Sequence, residues 1–67
     1  PMPTIGAGVG EIRVQRGAAY RVFYVAKFEE AVFVLHAFEK RTRKTRAMDL
    51  ELARARLAEV LRQRKRL

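Results

Sequence analysis

The chain has 67 residues, 49% hydrophobic and 33% charged, and its 15 Lys and Arg against 7 Asp and Glu give a net charge of +8 with its one histidine neutral. That length supports one small globular domain, which hides only about 60% of the surface its unfolded form exposes and so has a marginal core. Cysteine is absent, which excludes disulfides and thiolate metal sites and makes a reducing cytoplasm the expected compartment; no apolar run nears the roughly 18 residues of a membrane span, and no basic-then-apolar leader stands at the amino end.

Residues 1–8, PMPTIGAG, combine two prolines with Gly6 and Gly8 and form an irregular lead-in. The spacing Gly6, Gly8, Gly10 fails the G-x-G-x-x-G pattern, so no phosphate loop is expected there. Pro1 is not an initiator residue, so the chain is expected to begin after processing or within a longer frame.

Three stretches with strand character follow, at 9–15, 20–28 and 31–38, the last two rich in Val, Phe and Tyr. The breaks between them are too short for a crossover helix, so the strands are expected to form an antiparallel meander. Glu29-Glu30 is poor chemistry for a two-residue turn, which points to a wider loop. Pairing Phe28 with Ala31 sets Val25 opposite Val34, Phe23 opposite His36 and Arg21 opposite Phe38. That register places Arg21, Phe23, Val25, Val32, Val34, His36 and Phe38 on one face, and Tyr20, Val22, Tyr24, Phe33 and Leu35 on the other. Both faces are apolar enough to need cover.

Residues 46–64 read as a helix with Leu50, Ala53, Leu57, Val60 and Leu61 on one stripe. Thr45 is the expected N-cap; Asp49 and Glu51 near the start, and Arg62, Arg64, Lys65 and Arg66 at the end, suit the helix dipole. The fold class is therefore α+β: a single domain over residues 1–67, with a three-stranded antiparallel meander over 9–40 followed by a C-terminal helix. One helix covers one sheet face. The other is left for a second copy, a partner, or a further segment, and a homodimer or larger assembly is expected.

Charge is distributed unevenly. Residues 1–39 balance four basic against four acidic groups, whereas residues 40–67 hold eleven basic and three acidic groups and carry the whole +8. Clustered Lys and Arg favour polyanions, because phosphates then release condensed counterions. The densest run, Lys40-Arg41-Thr42-Arg43-Lys44-Thr45-Arg46, joins the last strand to the helix, where a phosphate would meet side chains and helix amides together. Arg21 lies within an apolar strand and must either pair with a carboxylate, Glu11 or Glu39, or open onto an anion cleft. Whether Arg13 reaches the same cleft depends on the register of the first hairpin.

His36 is the one side chain whose ordinary pKa lies near neutrality, and so the candidate proton carrier. It has no second histidine or cysteine at ligand spacing, so no metal or other cofactor is expected. Serine and cysteine are both absent, which excludes the usual acyl-transfer nucleophiles. Phosphodiester chemistry survives this elimination, since RNA brings its own 2′-hydroxyl and needs the protein mainly to orient and neutralise a phosphate.

The succession Gly8-Val9-Gly10-Glu11-Ile12-Arg13-Val14, Ala19-Tyr20-Arg21-Val22-Phe23-Tyr24-Val25-Ala26-Lys27-Phe28, Val34-Leu35-His36-Ala37-Phe38-Glu39-Lys40 and Asp49-Leu50-Glu51-Leu52-Ala53-Arg54 resembles the carboxy-terminal half of toxins in the phage-related, HigB-like branch of the RelE/ParE superfamily. The resemblance implies a type II toxin-antitoxin role, mRNA cleavage on the ribosome without metal, and neutralisation by a helix-turn-helix antitoxin. By position it would make Arg21 the strand arginine at the scissile phosphate and Arg13 a further cation of the cleft. Lys40, Arg41, Arg43 and Lys44 would form the basic cluster; Arg46, which stands where proline is common in the family, joins the RNA-binding residues through the basic run alone. It also implies amino-terminal helices that pack on the sheet in relatives. A degenerate toxin that only binds antitoxin or nucleic acid is the alternative; a gyrase poison shares the fold without a residue here to mark it.

Overall fold

The computed structural model describes residue 2 and residues 4–65. Strand β1 (Val9–Arg16), strand β2 (Ala18–Val25) and strand β3 (Phe33–Glu39) form one antiparallel sheet in the order β1-β2-β3, followed by helix α1 (Ala47–Lys65). The expected meander and helix are both present. Among the described residues no helix is long and apolar enough to cross a membrane.

The β1–β2 hairpin closes with only Gly17 between Arg16 and Ala18, which are themselves paired. Gly17 has φ +71 and nothing near its Cα on the side where a Cβ would stand. The backbone, not space, therefore demands glycine. Gly17→Ala is expected to lower stability by about 1–2 kcal/mol, the cost of holding a side chain in the left-handed region, read from the urea midpoint with an unchanged slope. The β2–β3 connection, residues 26–32, is the wider loop anticipated from Glu29-Glu30.

The sheet register departs from the sequence expectation from Tyr24 onward, and Phe28 and Ala31, expected to face one another, lie in the loop instead. Arg21 faces Phe38 and Phe23 faces His36, but Tyr24 then faces Val34 and Val25 faces Phe33, so Leu35 is an extra residue in β3. This β-bulge inverts the alternation below it. Phe33 and Leu35 join Phe23 and Val25 on the covered face, and Val34, expected on that face, is 64% exposed on the other. The guanidinium of Arg56 donates to the Leu35 carbonyl from Nη1 at 2.9 Å, giving a partner to a backbone group at the irregularity.

Helix α1 runs antiparallel to β3, with Asp49 beside His36 and Arg64 beside Glu30 and Phe28. Its first backbone bonds go from Asp49 and Leu50 N–H to the Arg46 carbonyl, so Arg46 rather than Thr45 holds the cap position. Ala53 and Leu57 are buried, and Leu50 and Val60 pack against them. Leu61, placed on the same stripe by spacing, is 39% exposed, while Val60 beside it packs against the core. Arg66 lies outside the described residues.

The lead-in contributes more than its composition suggests. Ile5 is a core residue with Val9, Phe23, Val25, Leu35, Ala53 and Leu57. Backbone bonds from Met2 N–H to the Val9 carbonyl and from Ile5 N–H to the Met2 carbonyl shape the segment, and Arg54 Nε donates to the Thr4 carbonyl at 2.8 Å.

At the far end of α1, Arg64 pairs with Glu30 and stacks on Phe28, its Cζ 3.7 Å from the ring centroid. The Arg64 hydrogen bond holds the Glu30 carboxyl below its ordinary value of 4.5. A carboxyl depressed in the folded state stabilises the fold above its unfolded pKa, and loses that contribution as pH falls through the folded value. The melting temperature of Glu30→Gln should therefore lie slightly below wild type at neutral pH, and the two should converge under acid. The effect is small because the pair is solvent-exposed.

Candidate nucleic-acid interface

On the covered face the strand registers stack side chains in rows. Val9, Val25 and Phe33 form the first, Glu11, Phe23 and His36 the second, and Arg13, Arg21 and Phe38 the third. The Lys40 N–H donates to the Ala19 carbonyl at 2.7 Å, extending the pairing so that Gln15, Ala19 and Lys40 make a fourth. Rows lie about 7 Å apart, two residues of extended chain. The first two lie within the reach of α1 and the lead-in. Beyond Asp49 at the helix start, the third and fourth rows carry the cations.

The hairpin register, left open by the sequence, places Arg13 directly opposite Arg21. Arg13, Arg21 and Lys40 therefore occupy one face and one end of the sheet. Their surroundings differ. The Arg13 side chain is 71% exposed and its Nε donates to Glu11 Oε1 at 2.9 Å. Arg21 is largely buried; its Nη1 donates to the Tyr20 carbonyl at 3.3 Å, and its Nε lies 3.8 Å from Glu11 Oε2. Of the two carboxylates considered for Arg21, Glu11 stands near it.

His36 is held on both ring nitrogens. Nε2 lies 2.7 Å from Asp49 Oδ1 and Nδ1 lies 3.4 Å from Arg56 Nη1, while the ring stacks on Phe38 with centroids 5.0 Å apart. Arginine only donates, so Nδ1 is the acceptor and Nε2 carries the proton toward Asp49. This arrangement ties the first turn of α1 to β3. The sequence does not mark Asp49 or Arg56 as part of this site. Asp49 reads there as a dipole residue, and nothing in the spacing of Arg56 relates it to position 36.

The basic run does not gather on one side. Glu39 and Arg41 follow the alternation to the opposite face, where Arg41 Nη2 donates to Glu39 Oε1 at 3.2 Å, and that bond raises the Arg41 pKa above its ordinary value. Lys40 is half-buried, and Arg43, Lys44 and Arg46 are exposed. The Thr42 hydroxyl donates to the Lys44 carbonyl at 2.5 Å, bending the loop on itself. Among the described residues no three His, Cys, Asp or Glu side chains gather as metal ligands.

A short antiparallel sheet backed by one helix, with Arg13 and Arg21 facing one another beyond the helix start, defines a small basic α+β protein. The phage-derived Gp49-like family (DUF891) matches residues 1–58, and the chain belongs to this family, one of RelE/HigB-like toxins. No curated protein and no solved structure matches it significantly.

Proposed function

We propose that this chain is the toxin of a type II toxin-antitoxin pair, and that it cleaves mRNA at the ribosome in the cytoplasm without metal. The observation that carries the reading is the direct cross-strand placement of Arg13 and Arg21 at the open end of the covered face, with Lys40 one row beyond. In the cleavage step the RNA 2′-oxygen bonds to the adjacent phosphorus as the bond from phosphorus to the 5′-oxygen breaks. The hydroxyl proton leaves to a base and a proton reaches the departing oxygen. Arg13, Arg21 and Lys40 would offset charge growing on the non-bridging oxygens. His36 is the assigned proton carrier, and Arg56 must first release its Nδ1. Arg41, Arg43, Lys44 and Arg46 would hold flanking backbone. A helix-turn-helix antitoxin is the proposed neutralising partner, and a second copy of the chain the proposed cover for the open sheet face.

The second reading is a binding module without catalysis, favoured by the engagement of both His36 nitrogens within the chain. Incubation with translating ribosomes separates the two. Fresh mRNA cuts that disappear with Arg21→Ala are expected for the toxin. Salt-sensitive binding without cuts would overturn cleavage and leave the module.

A further inference from the structure

Two arginines placed directly opposite one another in an antiparallel pair repel, and such like-charge pairs destabilise a sheet. Here that arrangement is central to the candidate site, since Arg13 and Arg21 are partners in the β1–β2 ladder. Glu11 offsets the repulsion. It stands two residues before Arg13 on the same face and diagonal to Arg21, and its two carboxylate oxygens divide between the arginines. Oε1 lies 2.9 Å from Arg13 Nε and Oε2 lies 3.8 Å from Arg21 Nε. The Glu11 and Arg21 side chains are only 11% and 14% exposed. The second distance is beyond a hydrogen bond, and Arg21 Nε is buried with no hydrogen-bond partner among the described residues. The carboxylate thus satisfies one guanidinium and only approaches the other.

We propose that Glu11 is an internal counter-anion standing between Arg13 and Arg21 where an RNA phosphate would bind, and that it stabilises the folded chain while limiting the site's affinity for RNA. The inference rests on the anion-binding reading of these arginines. A carboxylate and a phosphodiester each carry one negative charge and accept from the same guanidinium N–H groups. With Glu11 ionised the three side chains sum to one positive charge, enough to balance a single phosphodiester. An incoming phosphate must share Arg13 and Arg21 with Glu11 or displace it from them. Glu11 also explains how the chain keeps two facing arginines in a sheet before any RNA arrives.

The test uses Glu11→Gln in the full chain, with a fluorescent 2′-O-methyl RNA oligonucleotide that lacks the nucleophile and is not cut. Without oligonucleotide the variant should melt below wild type. It should nevertheless bind roughly three- to tenfold more tightly at 0.1 M salt, as expected for removing one charge beside a phosphate. The slope of log affinity against log salt should steepen by about 0.7, the single-strand value for one further phosphate neutralised. The oligonucleotide should also raise the melting temperature more in the variant than in wild type.

Should Glu11→Gln fail to fold, Arg13→Gln compared with the double change Arg13→Gln/Glu11→Gln isolates the same carboxylate without the repulsion, and the double variant should bind more tightly by the same factor. Equal or weaker binding on loss of Glu11, while Arg21→Ala still weakens wild type, would overturn the proposal and leave Glu11 a structural ion-pair residue. Binding that is absent in wild type, or indifferent to Arg21→Ala, would remove the anion-binding reading itself and this inference with it.

Discussion

Phe23→Ala should remove most of the chain's stability and bring it close to its unfolding midpoint at room temperature. Phe23 is fully buried at the centre of the sheet, lies in the row of Glu11 and His36, and packs tilted against Phe38 with ring centroids 5.3 Å apart. Truncating a buried phenylalanine costs about 3–5 kcal/mol, from lost transfer energy and the cavity left behind. A small domain sits near the lower end of the usual stability range of about 5–15 kcal/mol. Among the described residues seven form the buried core, spread over the lead-in, the sheet and the helix, so little remains to hold the fold. Circular dichroism in a urea titration should show the variant's transition moved to very low urea, with little or no folded baseline before it. Val34→Ala, at a position 64% exposed, is the matched control and should change stability by less than about 0.5 kcal/mol. A cooperative transition for Phe23→Ala close to that of wild type would mean that the core lies elsewhere.

Under the proposed function, Arg21→Ala should lower mRNA cutting by about 100-fold, the usual effect of removing one donor aimed at a developing oxyanion, with little change in the urea midpoint. Stability should hold because Glu11 keeps its 2.9 Å bond to Arg13 when Arg21 is gone. Arg21→Lys should recover binding at low salt better than cutting, since an ammonium supplies the charge without the planar fork of donors. Single-turnover cleavage of a ribosome-bound message, with circular dichroism on the same samples, distinguishes loss of chemistry from loss of fold. Cutting by Arg21→Ala at the wild-type rate would remove this residue from the reaction.

These two expectations draw on different kinds of information. The burial of Phe23 is foreshadowed by the run from Tyr20 to Val25, where large apolar side chains leave few alternatives to a central strand. The company kept by Arg21 is not. Its opposition to Arg13 depends on where the first hairpin closes. Gly17 marks that place, yet neither its identity nor the flanking residues state which partners follow. His36 stands out in the sequence as the only histidine, but its partners Asp49 and Arg56 lie 13 and 20 residues away and meet it only through the docking of α1 on β3.

Composition and local pattern in the sequence were sufficient for the order of elements, the antiparallel meander, the helix, and the concentration of charge after Lys40. These features follow from nearest neighbours: β-branched and aromatic runs, short breaks, and apolar spacing of three and four. The tertiary structure alone decided which side chains share a face. One extra residue at Leu35 exchanged Phe33 and Leu35 with Val34 between core and surface, because a strand's side chains alternate and a one-residue slip inverts everything beyond it. The same long-range registration set Arg13 against Arg21, put Glu11 between them and sent Arg41 to the other side. Pairing of that kind is a property of the assembled sheet, in which each strand's register is chosen by what the whole face can bury.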